Sequence, residues 1–352
     1  MGNCQNCCRY DHINNVDNST NNIELNKIDL IELKICSFNV RLFQSVNHVE
    51  KIENLIDFVI KSDYNVICLQ GINDIKLLRL IVKNIFKYNL TTQTNKLTTY
   101  PVIESFYMNY VQDDVLKVTW SNSNDDDIEI VDSLIITKEN IISGSHLEMT
   151  SFELNGKGNR FYVINIEWNN IVVSVYNTTF QSDFVGISNE EIRKVQIKEL
   201  WKVISENTKN IHNSVNIVCC QCNIKELFNN RVSGEYLNFT RTLKSLDTYR
   251  YVQTLKGINI NSSLDATDLS GSRNNYILLS NLNTSNFDNL KNIGDELYVQ
   301  CKLLVTNSTI KKFKLYEDRA IVTTFVSVKN MNLLNEKERS LTIYEDIAIE
   351  IV

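Results

Sequence analysis

The residues best placed for chemistry in this sequence are polar side chains standing where apolar runs stop. "SFN" ends on Asn39, "CLQG" on Gln70 and Gly71, and "VYNTTFQ" carries Asn177 and Thr179. "CCQCN" delivers Gln221 and Asn223, "RNNYILLS" contains Asn275, and "YEDRAIV" sets Asp318 and Arg319 before an apolar run. A polar residue at the tip of an interior strand lies at the rim of a sheet, where active sites are commonly built. Residues far apart in the chain therefore converge on one rim. Most of them are carboxamides. A carboxamide does not take up a proton near neutral pH, so Gln221 cannot act as a general base. The cysteines at 219, 220 and 222 raise zinc binding as a first idea.

The elements that must hold these tips follow from periodicity. Ile31 to Phe38 alternates and reads as a first strand, and "NVICLQ" (65–70) as a short interior one. Residues 48–61 repeat apolar side chains at Val49, Ile52, Leu55, Ile56, Val59 and Ile60, which predicts a helix with one buried face. "DIKLLRLIVKNIF" (74–86) predicts a second. Short β-rich runs follow, among them 130–138 and 170–178, with "NSNDDDIE" (122–129) as an acidic turn. Residues 188–206 predict a helix opened by a Ser188/Glu191 capping box, with Ile192, Val195, Leu200, Val203 and Ile204 on its inner face. A shorter helix is expected over 233–245, then strands at 274–280 and 319–328. Alternating strands and helices build a layered α/β unit. No internal repeat or break in composition follows residue 31, so residues 31–352 are expected to form one domain.

In this order the motifs resemble the endonuclease/exonuclease/phosphatase superfamily, the DNase I-like fold, which includes neutral sphingomyelinases and inositol-polyphosphate phosphatases. "KICSFNVR", "NVICLQG", "SLIITKENIIS", "VVSVYNTTFQS", "VCCQCNIKE", "LDTYR", "RNNYILLS" and "YEDRAIVTTF" each resemble a family segment. The resemblance runs from about residue 31 to 328. It implies a four-layer α-β-β-α sandwich: two packed, mostly antiparallel sheets with helices on their outer faces. It also implies Mg²⁺-assisted hydrolysis of phosphate esters, with a water-activating Asp and a His–Asp pair.

The family's roles carry over unevenly. The metal-binding Glu falls on Gly71 and the His of Asn-Thr-His on Thr179. The water-activating Asp falls on Gln221, the Asp before Tyr-Ile on Asn275, and the final His on Arg319. Asn39, Asn177, Asn223 and Asp318 match, and form a retained polar rim. Cys220 and Cys222 then read as small apolar fillers of a strand and its end. Asp318 is the remaining candidate metal ligand. Alone it makes a poor Mg²⁺ site, and Arg319 beside it opposes a cation further. None of His12, His48, His146 and His212 falls on a matched motif. Asp74 and Glu104 can approach the rim from loops, and Glu104 is the more interesting of the two as a residue that could rebuild a metal site.

Composition bounds the rest. The net charge of -6 argues against broad nucleic-acid binding. No apolar run reaches the roughly 18 residues of a transmembrane helix, and no secretory core is present. Nine cysteines, with Cys36 and Cys68 inside apolar strands, read as reduced and intracellular, with no disulfide-linked partner implied. The opening "MGNCQNCC" predicts N-myristoylation at Gly2 and palmitoylation at Cys4, Cys7 or Cys8, although Asn6 departs from the usual Ser or Thr. A frayed reactive terminus and a zinc site made by the three cysteines with His12 are the alternatives. Residues 1–30 then read as a tether holding the domain at the cytoplasmic face of a membrane.

Three function classes follow. The first is an inactive member of the fold, needing no cofactor and kept as a membrane-tethered module that binds a protein or a phosphate-containing ligand. The second is a divergent Mg²⁺-dependent phosphodiesterase or phosphatase acting on a phospholipid headgroup, an inositol phosphate or a nucleic acid. The third is a structural protein without a ligand.

Overall fold

A computed structural model describes residues 31–41, 48–72, 103–105, 108–112, 117–121, 133–148, 160–183, 187–211, 214–228, 231–258, 266–267, 273–280, 303–313, 316 and 318–327. Two large sheets face each other. In the first, β1 (Ile31–Asn39) pairs in parallel with β2 (Val66–Gln70) and antiparallel with β16 (Arg319–Ser327). Beyond β16 lies β15 (Leu304–Lys312). Beyond β2 come β6 (Ser133–Thr137), β5 (Lys117–Ser121), β4 (Met108–Gln112) and β3 (Ile103–Ser105) at the edge. The second sheet runs β13 (Leu246–Asp247), β14 (Asn275–Ser280), β10 (Ser214–Gln221), β9 (Ile171–Thr179), β8 (Arg160–Trp168) and β7 (Asn140–Glu148). Only β9 and β10 are parallel within it. Between these elements sit a small hairpin, β11 (Leu227–Phe228) and β12 (Arg231–Val232), and four helices among the described residues. The helices are α1 (His48–Lys61), α2 (Glu190–Asn210), α3 (Gly234–Thr242) and α4 (Thr248–Leu255).

Three apolar layers explain why the central strands read as continuous hydrophobic runs. Leu33, Ile35, Cys68 and Ile135 of the first sheet meet Ile164, Val175, Ile217, Cys219 and Ile277 of the second. The alternate residues Cys36, Phe38, Ile67 and Leu69 face outward under Ile52, Leu55 and Val59 of α1. On the other outer face, Tyr176, Val218, Cys220 and Tyr276 lie under Ile197, Leu200 and Ile204 of α2 and Tyr236 and Phe239 of α3. Each such aliphatic side chain contributes about 1.5–3 kcal/mol on burial. The arrangement is the four-layer α-β-β-α sandwich expected.

Several local expectations are corrected. The cap of α2 is Asn189, not Ser188, and no capping box forms. Asn189 instead donates its Nδ2 to the Ser182 carbonyl at 2.6 Å. The inner face of α2 is Arg193, Gln196, Ile197, Leu200 and Ile204, whereas Val195 is exposed. Arg193 rotates this face because its guanidinium is buried between Asp183 and Glu235, at 2.6 Å from each. Val49 of α1 is likewise exposed. Helix α4 was not anticipated: it follows Asp247, whose carboxylate caps it by accepting from the Arg250 N–H. The expected helix over 74–86 and the acidic turn at 122–129 lie outside the described residues, as do residues 1–30.

Candidate functional site

The register of the sheets sets the strand tips side by side. On the second sheet, Gln221 lies between Thr179 of β9 and Asn275 of β14. On the first, Asn39 lies beside Gln70, and Asp318 immediately precedes β16. The Asn275 amide donates to the Arg319 carbonyl at 3.2 Å, which joins the two sheets at this edge. Thr267 adds a second tie: its Oγ1 accepts from the Asn275 N–H, and its carbonyl accepts from the Arg319 N–H.

The centre of the rim is an ion pair. Asp318 is buried; its Oδ2 accepts from Asn39 Nδ2 at 2.7 Å and forms an ion pair with Arg41, whose Nε is 2.8 Å away. Asn39 Oδ1 accepts from the Arg41 N–H at 3.3 Å. Gly71 adopts φ 72°, the left-handed region that glycine tolerates without strain. A Cβ there would lie 2.3 Å from Asn39 Oδ1, so the missing side chain is what leaves room for Asn39 to reach Asp318. Arg41 was not among the candidates from sequence. The signal was present, two residues beyond Asn39 in "SFNVR", but its partner lies at the far end of the chain.

Other candidates have structural duties. Asn177 does not face the rim. It is buried between the sheets, donating Nδ2 to the carbonyls of Leu69 and Leu134 and accepting from Gln70 Nε2 at 2.7 Å. It pins one sheet to the other. Asn223 adopts φ 52° and donates Nδ2 to the Phe180 carbonyl at 2.6 Å, so its amide holds the turn after β10. Gln221 Nε2 stands 3.4 Å from Asn223 Oδ1.

Cys220 and Cys222 are fully buried in the apolar layer under α2 and α3, as small fillers of a strand and its end, and their sulfurs are paired as a disulfide. Their Cα atoms lie 5.5 Å apart, within the span a disulfide bridges. Cys36, Cys68 and Cys219 are free and buried. Burial pushes the thiols of Cys36 and Cys68 well up, so neither is a ready nucleophile.

Metal ligands fit poorly here. Among the described residues, no group of three or more His, Cys, Asp or Glu is arranged to hold a metal ion. Glu104 lies in β3 at the sheet edge, with β4, β5 and β6 between it and β2. Asp74, His12 and His212 lie outside the described residues. His146 is in edge strand β7, and His48 opens α1. A Mg²⁺ ion at Asp318 would have to displace a guanidinium already ion-paired with it.

A second charged cluster is built by Arg273, Glu226 and Asp247. The Arg273 guanidinium is buried between Glu226 Oε2, at 2.6 Å, and Asp247 Oδ1, at 3.0 Å. Tyr236 donates to Asp247 at 2.7 Å, and Arg250 reaches Glu226 at 3.3 Å. Burial works against the charge of Asp247, but Arg273 outweighs it and holds that carboxyl below its ordinary value. Burial pushes Glu226 up, with Arg273 opposing and the Asp247 charge adding to the rise. The signals in sequence were "LDTYR" and the arginine of "SRNNY", but not their pairing.

Strand order and layers together define a DNase I-like fold. The chain is similar to an endonuclease/exonuclease/phosphatase family protein from Leptotrichia buccalis C-1013-b, at 15% identity and TM-score 0.52, covering 83% of this chain and 98% of that one. It is also similar to the human Nocturnin catalytic domain solved with a bound sulfate anion, at 11% identity and TM-score 0.55, covering 84% and 96%. A truncated Caenorhabditis elegans TDP2 matches at 11% identity and TM-score 0.53, covering 84% and 98%. No protein-family profile and no curated protein matches the sequence.

Proposed function

We propose that this protein is a non-catalytic version of the fold, kept as a binding or scaffold module. The observation that carries this reading is the state of Asp318. Its carboxylate is engaged by Asn39 and Arg41, and the adjoining position where a carboxylate is expected is Gly71. Thr179, Gln221 and Asn275 offer no imidazole or carboxylate to activate water. The fold by itself decides nothing, since one fold hosts unrelated activities.

The wild-type protein, with Mg²⁺ or Mn²⁺, is expected to give no turnover above blank on DNA, sphingomyelin, inositol phosphates or a generic phosphodiester. Turnover abolished both by EDTA and by Asp318→Ala would overturn the reading in favour of a divergent phosphodiesterase or phosphatase.

The opening "MGNCQNCC" supports placing the module at the cytoplasmic face of a membrane through acyl groups on Gly2 and on Cys4, Cys7 or Cys8. One acyl chain binds weakly and reversibly, so the cysteines supply the second signal. Intact mass of protein made in a eukaryotic cell is expected to show myristate and at least one palmitate, and Gly2→Ala to shift the protein to the soluble fraction. An unmodified N-terminus would sink this part.

A further inference from the structure

Arg41 stands where the chain leaves β1, at φ 40°. Its guanidinium forms an ion pair with Asp318, with Nε 2.8 Å from Asp318 Oδ2. Among the described residues no group takes the terminal nitrogens Nη1 and Nη2. The Arg41 side chain is 28% exposed and that of Asp318 is 3% exposed, so the pair has a buried half and an open half. A guanidinium offers its N–H donors in a rigid planar fork that matches the oxygens of carboxylate and phosphate. Arg319 follows Asp318 directly in the chain, at the start of β16.

We propose that Arg41 takes the place of a divalent cation at this rim. Its Nε neutralises Asp318, and its terminal nitrogens bind an oxyanion of the phosphate class without any metal. The inference rests on the non-catalytic reading and deepens it. A divalent ion binds a phosphoryl oxygen and can also polarise it and acidify a bound water. A guanidinium supplies charge-assisted hydrogen bonds but no open coordination position, so it holds the anion without activating water. Gly71 and Asn39 complete the exchange. The absent side chain lets Asn39 share Asp318 with Arg41, which keeps the carboxylate paired whether or not a ligand is bound.

The test is calorimetric titration of the full, unacylated chain with inorganic phosphate in EDTA. Saturable binding is expected, unchanged when Mg²⁺ replaces EDTA. Arg41→Met alone would strand a buried carboxylate, so the informative variant is Arg41→Met with Asp318→Asn, in which Asn39 keeps an amide partner. It should melt as a cooperative fold and bind phosphate about tenfold or more weakly, the loss expected for charge-assisted hydrogen bonds. Phosphatidylcholine vesicles with and without a phosphatidylinositol phosphate distinguish the source. Capture by the doped vesicles alone, lost in the double variant, assigns the phosphate to a lipid headgroup. Phosphate binding without capture assigns it to a free anion. Binding that requires Mg²⁺, no phosphate binding at millimolar concentration, or a folded double variant that binds as tightly as wild type would each overturn the proposal. None of these outcomes bears on the turnover assay, whose failure would be separate.

Discussion

Replacing Arg273 with methionine is expected to destabilise the fold by about 3–5 kcal/mol, the usual cost of leaving a buried charge without its partner. Methionine keeps much of the side-chain volume but removes the guanidinium shared by Glu226 and Asp247. It also ends the stacking of that group on Tyr276, whose ring centroid lies 4.7 Å away. Urea denaturation followed by fluorescence measures the loss. Adding Glu226→Gln and Asp247→Asn to the variant should recover part of it, because both buried negative charges are then gone. A loss under about 1 kcal/mol would show that the carboxylates are relieved in another way, by protonation or by water. The same cluster sets a pH dependence. The Asp247 pKa is depressed below 3.8, so its stabilisation is present above that value and lost as pH falls through the depressed one. Glu226 is raised above 4.5, so it works in the opposite sense, and its share declines as pH rises through its raised value.

Gly71→Ala is the second large effect, expected to cost about 2–4 kcal/mol. Left-handed backbone costs a residue with a Cβ about 1–2 kcal/mol. The new Cβ, 2.3 Å from Asn39 Oδ1, also forces that side chain away from Asp318 and breaks a buried hydrogen bond, for about 1–3 kcal/mol. Gly71→Ala combined with Asn39→Ala should be less damaging than the sum of the two single changes, because the clash is absent when both are made. A single-variant loss below about 0.5 kcal/mol would mean that Asn39 moves aside freely, and the argument against a metal at Asp318 would fall with it. The same geometry bears on restoring activity. A variant with Gly71→Glu, Thr179→His, Gln221→Asp, Asn275→Asp and Arg319→His replaces every departure from the family pattern. It is still expected to give no Mg²⁺-dependent turnover, because Arg41 continues to hold Asp318. Assaying it with and without a further Arg41→Ala checks this directly.

The sequence by itself determined the strands, their order and the positions of their polar tips. These depend on local signals. Alternation marks the strand from Ile31, and continuous apolar runs mark the strands at 66–70 and 214–221, which are buried on both faces. The departures from the motif pattern that the sequence resembles, at Gly71, Thr179, Gln221, Asn275 and Arg319, were legible for the same reason, since each stands at a strand tip. What each polar residue does was decided by the tertiary structure. A strand pattern says that Asn177 is inside or at an end, but only the facing sheet supplies Leu69, Leu134 and Gln70 to make it a pin. The inner face of α2 turned toward Arg193 because Asp183 and Glu235 meet it from other elements, and periodicity counts only apolar residues. The pairing of Arg41 with Asp318 is the furthest from local reading. An ion pair follows the distance between two charges in space, and here the fold closes a separation of nearly the whole domain by laying β16 beside β1.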